Sequence, residues 1–150
     1  MAIVYTQDVK RLLLPILGLL LAGACGGDDN SGPSLAPTTS APYSQTDLVV
    51  GTGALAGPGS QVTVAYTGWL HDSSRTDAKG TQFDSGTYPF RLGTGAVIRG
   101  WDQGIVGMRV GGSRRLVIPP DLAYGNQSPT GSIIPPNATL VFDVTLNNVQ

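Results

Sequence analysis

Three short segments bring large apolar side chains close to turn-forming glycines and prolines, where a solvated loop would be polar. They are Val97–Trp101, Tyr124–Gly125 and Ile133–Pro136. Aliphatic and aromatic residues in such places can line a small apolar cup, whose few polar groups orient a ligand. We therefore expect the chemistry of this chain to lie in the cup and not in an acid–base pair.

The supply of reactive side chains excludes several other kinds of site. The 150 residues contain one Cys and one His, so no disulfide can form within the chain and no zinc cluster can assemble. His71 lies in the polar stretch 71–77, which predicts an exposed loop and argues against a Ser-His-Asp or Cys-His site. The net charge is −1, and the basic cluster Arg114–Arg115 is too small to bind nucleic acid. We expect no metal, no cofactor and no nucleic-acid partner.

Alternating apolar residues predict the strands that must position these segments. The pattern has a period of two over residues 62–67 and 140–146. Residues 115–118 form a third predicted strand, which two following prolines stop. Residues 48–50 and 88–92 are weaker strand candidates.

The segment Arg99–Met108 breaks the period of two. Trp101, Ile105 and Met108 are spaced by four and three, which places them on one face of a helix. Because the segment is rich in glycine, this helix must pack against other elements to persist. The sequence thus predicts an α+β domain in which a short helix lies in the concave face of a twisted antiparallel sheet.

The first 24 residues have the features of an export signal. Lys10–Arg11 precedes an apolar run that is too short to span a bilayer, and small residues then lead to Cys25. The pattern resembles a bacterial lipoprotein signal, which implies that Cys25 becomes the lipidated N-terminus. Ala22–Ala24 also fits an ordinary secretory cleavage site, and an uncleaved anchor is a third possibility.

Composition divides the rest of the chain into two parts. Residues 25–43 are mostly small and polar, which predicts a disordered tether, and residues 44–150 form the predicted folded domain. We therefore expect an exported protein whose N-terminal lipid anchors it to the membrane of the cell envelope, in the periplasm or on the outer surface.

Further motifs extend the apolar cup into a family pattern. The motifs are Tyr66-Thr67-Gly68, Phe83-Asp84-Ser85, Val97-Ile98-Arg99-Gly100-Trp101, Pro120-Asp121-Leu122-Ala123-Tyr124-Gly125 and the run from Ile133 to Val144. In this order and spacing they resemble the FKBP family, the macrolide-binding peptidyl-prolyl cis-trans isomerases. The resemblance covers Asp47 to Val149 and implies a half-barrel sheet wrapped around one short helix.

The resemblance also implies roles for individual residues. Trp101 is expected to form the floor beneath a substrate proline ring, and the Ile98 N–H and the Tyr124 hydroxyl are expected to point at substrate carbonyls. Asp84 is expected to place its carboxylate at the rim. The remaining implied pocket residues are the walls Tyr66, Phe83, Tyr88, Val97 and Phe142, and Ile133 and Ile134 on an overhanging loop. The implied partners are proline-containing unfolded or exported polypeptides and macrolide inhibitors, and single domains of the family are usually monomeric.

Such a cup can catalyse isomerisation without moving a proton or forming a covalent bond. Rotation about an Xaa-Pro bond has a barrier of ~18–20 kcal/mol. The twisted amide of the transition state has lost resonance and is less solvated by water than the planar form. A dry aromatic cup therefore penalises the planar form more, which is differential binding of the transition state. This mechanism requires room for a pyrrolidine ring over the Trp101 indole.

Each site residue also has a purely structural interpretation. Trp101, Tyr66 and Phe142 could be ordinary core residues, Asp84 a turn residue and Tyr124 a packing residue. The same cup also fits a non-catalytic module that binds proline-containing segments, such as a chaperone or adaptor. A surface protein with a vestigial pocket is a third interpretation.

The chain departs from the family pattern near Asp84. The family usually has a longer segment between this carboxylate and the next aromatic residue, often with an Arg that pairs with the carboxylate. Here only three residues separate Asp84 from Tyr88, and the Arg is missing. Tyr88 stands where the family usually has Phe. The segment before Phe83 is longer instead, and we predict that its Arg75 or Lys79 pairs with Asp84.

Overall fold

The computed structural model describes residues 40–150, which form a five-stranded antiparallel sheet and one short α-helix. The elements in chain order are β1 (Ser44–Val49), β2 (Gln61–His71), β3 (Lys79–Arg91), α1 (Arg99–Gly104), β4 (Ser113–Ile118) and β5 (Leu140–Val149). A 3₁₀ turn over Pro120–Leu122 follows β4. The strand order β1-β4-β5-β2-β3 leaves β1 and β3 at the edges. The predicted α+β architecture is confirmed.

The alternation of the central strands matches their burial. Val62, Val64 and Tyr66 of β2 are buried, as are Phe142 and Val144 of β5. Side chains at these positions point to one side of the sheet, here called the concave face, which packs against α1. The opposite side is called the outer face. The three stronger strand predictions are confirmed. The weaker candidates lie in the edge strands β1 and β3, apart from their last residues, Val50 and Leu92.

The helix is shorter than the predicted segment. It ends at Gly104, and Gly107 then adopts a φ of 84°, which favours glycine and turns the chain away from a helical path. Trp101, Ile105 and Met108 are nevertheless all buried. The helix lies so close to β4 that a Cβ on Gly100 would stand 2.5 Å from the Ile118 side chain. The glycines that weaken the isolated helix therefore permit its close packing.

His71 does not lie in an exposed loop, so that prediction is wrong. It is the last residue of β2, it is half-buried, and its backbone N–H donates to the Thr139 carbonyl at 2.9 Å. The strand extends this far because β2 lies between β5 and β3 and is paired on both sides. The exposed loop begins only after it.

The predicted export signal, Cys25 and residues 25–39 of the predicted tether lie outside the described residues. Tyr43, which we assigned to the end of the tether, packs against the core, and its hydroxyl donates to the Gly100 carbonyl at 3.3 Å. Within residues 40–150, no helix has the length and apolar character needed to cross a membrane.

Candidate active site

Aromatic rings from four elements meet between α1 and the concave face. Trp101 of α1 stands at their centre, with the ring centroids of Tyr66, Phe142 and Phe90 at 5.0, 5.2 and 5.9 Å. Phe83 packs edge-to-face on Phe142 at 5.5 Å. Tilted pairs at these distances are favourable because the edge of one ring meets the face of the next. The fold thus brings together the predicted floor and three of its predicted walls.

A β-bulge allows two consecutive residues of β3 to reach this cluster. The register between β2 and β3 slips by one residue next to Gly68, which leaves Phe83 without a partner on β2. In a regular strand neighbours point to opposite faces, so Phe83 and Asp84 would be separated. Here Phe83 packs on Phe142, and the Asp84 carboxylate accepts a hydrogen bond from the Tyr66 hydroxyl at 2.8 Å.

Two tyrosines of the candidate site, Tyr66 and Tyr124, have raised pKa values. Burial raises the pKa of Tyr66 well above its usual range, and its hydrogen bond to Asp84 raises this pKa further. Burial also raises the pKa of Tyr124. The charge of Asp84, and then Tyr66, raise this pKa further. Both phenols therefore remain protonated near neutral pH and can act as hydrogen-bond donors.

A backbone donor lies beside the indole. Ile98 precedes α1, and its carbonyl accepts the Trp101 N–H at 2.9 Å. Within residues 40–150, no group accepts a hydrogen bond from the Ile98 N–H. The loop before it is fixed by Asp102, whose two carboxylate oxygens accept the N–H groups of Gly93 and Gly95 at 2.9 Å each. The Ile98 N–H, the expected donor to a substrate carbonyl, therefore has no acceptor among residues 40–150.

The cup is closed in this conformation. The Trp101 side chain is only 1% exposed, and its Nε1 has no hydrogen-bond partner among the described residues. We expected room for a pyrrolidine ring over the indole, and this expectation is wrong here because the rings of Tyr66, Phe90 and Phe142 surround Trp101. A proline ring can reach the indole only if covering side chains move.

The predicted rim residues differ in their exposure. Ile133 is 59% exposed, whereas Ile134 is 4% exposed and packs in the core, so the predicted loop pair is split. Val97 and Ile98 are buried. Tyr124 is half-buried against the core. Ile133 is thus the predicted contact most open to an incoming chain.

Sequence reasoning missed Phe90 as a member of the cluster. Its ring stacks on Tyr88 at 6.1 Å and tilts against Trp101 at 5.9 Å. The alternation of Tyr88 and Phe90 along β3 is the available signal, because residues two apart in a strand share a face.

The predicted replacement for the missing family Arg is wrong. Arg75 pairs with Asp72 at 3.4 Å, and Lys79 pairs with Asp143 at 2.6 Å. Within residues 40–150, no cation lies at ion-pair distance from Asp84. Lys79 pairs with Asp143 on the outer face, whereas the Asp84 carboxylate bonds Tyr66 on the concave face, so Lys79 cannot reach Asp84.

A cavity of about 110 Å³ lies elsewhere, between the end of β1 and the turn after α1. Asp47, Val49, Met108 and Arg114 are among its lining residues. No predicted site residue lines it, and the Arg114 guanidinium there is already bonded to Asp47 and to the Gly104 carbonyl. The aromatic cluster remains the candidate site.

Comparison with known proteins identifies the family. The model of the FKBP-type peptidyl-prolyl cis-trans isomerases matches residues 53–147. The chain is 45% identical over 106 residues to FK506-binding protein 1B of Neurospora crassa, covering 68% of this chain and 93% of that protein. It is 44% identical over 108 residues to an FK506-binding protein of Neisseria meningitidis, covering 69% and 92%.

Solved structures give the same assignment. AtFKBP13 aligns with a TM-score of 0.60 and 36% identity over 72% of this chain and 93% of that one. FkpA from Escherichia coli aligns with a TM-score of 0.59 and 38% identity over 72% of this chain and 48% of that one. The sheet, the helix and the sequence match therefore agree, and the chain belongs to the FKBP-type peptidyl-prolyl cis-trans isomerase family.

Proposed function

We propose that this isomerase acts on proline-containing segments of exported polypeptides, and that the aromatic cluster around Trp101 is its catalytic pocket. The observation that carries the proposal is the convergence of Trp101, Tyr66, Phe83 and Phe142 beside the unpartnered Ile98 N–H. This arrangement combines an apolar surface for a proline ring with a hydrogen-bond donor for a carbonyl.

The pocket favours the rotated form of the substrate amide. Water stabilises the planar amide through its large dipole, and the rings around Trp101 exclude that water. The Ile98 N–H and the Tyr124 hydroxyl hold the flanking carbonyls, so the bond can rotate while the chain is anchored. Each ~1.4 kcal/mol of preference for the twisted form accelerates the reaction about tenfold. No residue exchanges a proton in this mechanism.

Substrate entry begins with opening of the cup. The exposed Ile133 meets the incoming chain, and one or more of the rings of Tyr66, Phe90 and Phe142 move away from Trp101. The indole then becomes available to the proline ring. We therefore expect the Trp101 fluorescence to change when a proline peptide binds.

The central test measures cis–trans exchange in an Xaa-Pro peptide. We expect Tyr124→Phe to lower the rate, because it removes the hydroxyl that holds a substrate carbonyl and leaves the ring in place. Tyr43→Phe is the matched control, since its hydroxyl bonds the Gly100 carbonyl outside the aromatic cluster. The catalytic proposal fails if the wild-type protein gives no acceleration over buffer.

The closed cup also favours a second candidate, a non-catalytic module that binds proline-containing segments. A titration with the same peptide, beside the exchange measurement, separates the two functions. Binding without acceleration would establish the second candidate. Binding of a macrolide that blocks exchange would support the pocket assignment, since the relatives above are named for binding FK506.

We also propose that the protein is exported, lipidated at Cys25 and attached to the cell envelope as a monomer. The apolar run before Cys25 and the polar composition after it support this proposal. Mass spectrometry of the mature protein is expected to find a lipid-bearing Cys25 at the N-terminus. An unmodified N-terminus at another residue would overturn lipidation, and Cys25→Ser is expected to release the protein from membranes.

A further inference from the structure

On the outer face of the sheet, two cations hold the carboxylate of Asp143. The Lys79 ammonium lies 2.6 Å from Oδ2, and Arg115 donates from Nε and from its terminal nitrogen at 2.7 and 2.9 Å. The three side chains are only 18–24% exposed, so water screens these pairs less than it screens ordinary surface pairs. Burial alone would raise the pKa of Asp143, but the hydrogen bonds from Arg115 and Lys79 hold it below its usual value.

The Lys79 side chain joins three strands. Lys79 is the first residue of β3, and its ion-pair partner Asp143 lies on β5. Strand β2 lies between them, and the Lys79 ammonium sits over the ring of Trp69 on that strand, 4.1 Å from the ring centroid. One side chain therefore ties the end of an edge strand to the two strands inside it.

The β3 strand needs such a tie because its pairing with β2 is irregular. Besides the slip next to Gly68, the register shifts again between Trp69 and His71, and this second shift brings Lys79 opposite His71. At each shift the ladder is locally disrupted and residues of β3 are left unpaired, so that side-chain contacts contribute to fixing the register there. A slip of one residue would turn Phe83 and Asp84 away from their concave-face positions.

We propose that Lys79 is a positioning residue of the active site. Its ion pair with Asp143 holds the β3 register in which both Phe83 and Asp84 face the aromatic cluster on the other side of the sheet. The proposal rests on the proposed function, because these two residues affect catalysis only if the cluster is the pocket.

The test compares three variants of the full chain. Lys79→Met removes the charge and keeps an unbranched stem over Trp69, whereas Lys79→Arg keeps the charge. Arg115→Met is the matched control, because it removes a cation from the same carboxylate but lies on β4. We expect Lys79→Met to lower kcat/KM about tenfold, mainly through kcat, as misplaced site residues do. We expect Lys79→Arg and Arg115→Met to stay within about twofold of the wild type.

An NMR measurement reads the register independently of activity. The wild type is expected to show nuclear Overhauser contacts between the rings of Phe83 and Phe142, which Lys79→Met loses and Arg115→Met keeps. If Lys79→Met does not fold, Lys79→Gln takes its place in both measurements. The proposal is overturned if the Lys79 variant keeps both the contacts and the activity, or if Arg115→Met loses as much activity. An inactive wild type would refute the proposed function, and the ring contacts would still decide the register.

Discussion

Substituting Gly68 by Ala would add one methyl group between the two phenylalanines of the site. A Cβ at this position would stand 2.6 Å from the far end of the Phe83 ring and 2.7 Å from the Phe142 ring. Both distances are well below van der Waals contact, so at least one ring must move. Phe142 is fully buried, whereas Phe83 is half-buried, so we expect Phe83 to swing outward and to lose its edge-to-face contact.

The magnitude follows from two opposing effects. Overpacking a core position costs about 1–3 kcal/mol. Replacing Gly by Ala within a strand recovers about 0.5–1 kcal/mol, because Ala has less backbone freedom to lose on folding. The net expectation for Gly68→Ala is a loss of about 1–2 kcal/mol in the free energy of unfolding, measured by urea titration, together with slower exchange in an Xaa-Pro peptide.

Gly86→Ala is the matched control. It lies on the partner strand, opposite Tyr66, and its Cβ would approach that ring no closer than 3.7 Å. This variant is expected to stay within about 0.5 kcal/mol of the wild type. The double variant Gly68→Ala/Phe83→Leu replaces the crowded ring by a smaller side chain. Its loss in the free energy of unfolding is expected to be smaller than the sum of the two single losses by at least about 0.5 kcal/mol. Equal stability and activity for Gly68→Ala and Gly86→Ala would refute the description of this crowded contact.

Three further predictions concern the titratable groups. Tyr66→Phe removes the 2.8 Å hydrogen bond to the Asp84 carboxylate and is expected to lower the free energy of unfolding by about 1.5 kcal/mol in urea titration, with slower exchange; an unchanged value would contradict the bond. The pKa values of Tyr66 and Tyr124 are raised in the folded protein, so the protonated phenols contribute to the free energy of unfolding. This contribution is fully present below the usual phenol pKa of about 10, and it is lost as pH rises through the higher folded pKa values. Phenolate absorbance should therefore show two phenols that ionise at higher pH than a free tyrosine, and the absence of such late-ionising phenols would argue against this. The folded pKa of Asp143 is lowered, so its contribution is complete above about pH 3.9 and is lost as pH falls through the folded value. Asp143→Asn should be less stable at neutral pH and should lack this part of the acid dependence, and a parallel pH profile would be the contrary result.

The period-two pattern was sufficient to predict the central strands. Residues 62–67 and 140–146 alternate because one face of the sheet is buried, and this physical cause leaves a direct trace in the sequence. The Trp101, Ile105 and Met108 spacing correctly predicted one buried face, although the helix itself ends at Gly104. A short helix that packs through glycines has boundaries set by its neighbours more than by its own residues.

The errors arose where pairing between distant segments decides the outcome. Nothing local to His71 shows that β2 is paired on both sides and continues through it. The slip that leaves Phe83 unpaired is likewise a property of two strands, and so is the outer-face position of Lys79. The resemblance implied that Trp101, Tyr66, Phe83 and Phe142 lie together, and their rings do meet. It did not indicate which cation would lie on which face of the sheet.

The closed cup has a consequence for affinity and turnover. If only a fraction of the molecules have opened enough to expose Trp101, the apparent dissociation constant of a proline segment rises by the inverse of that fraction. The same opening cost enters the transition-state complex, so kcat/KM falls by the same fraction, whereas the preference for the twisted amide within the opened pocket is unchanged. Burial of the indole at 1% exposure also keeps a large apolar surface from water between encounters. In the proposed mechanism, the same set of rings therefore stabilises the fold while the pocket is closed and excludes water from the substrate amide once the pocket has opened.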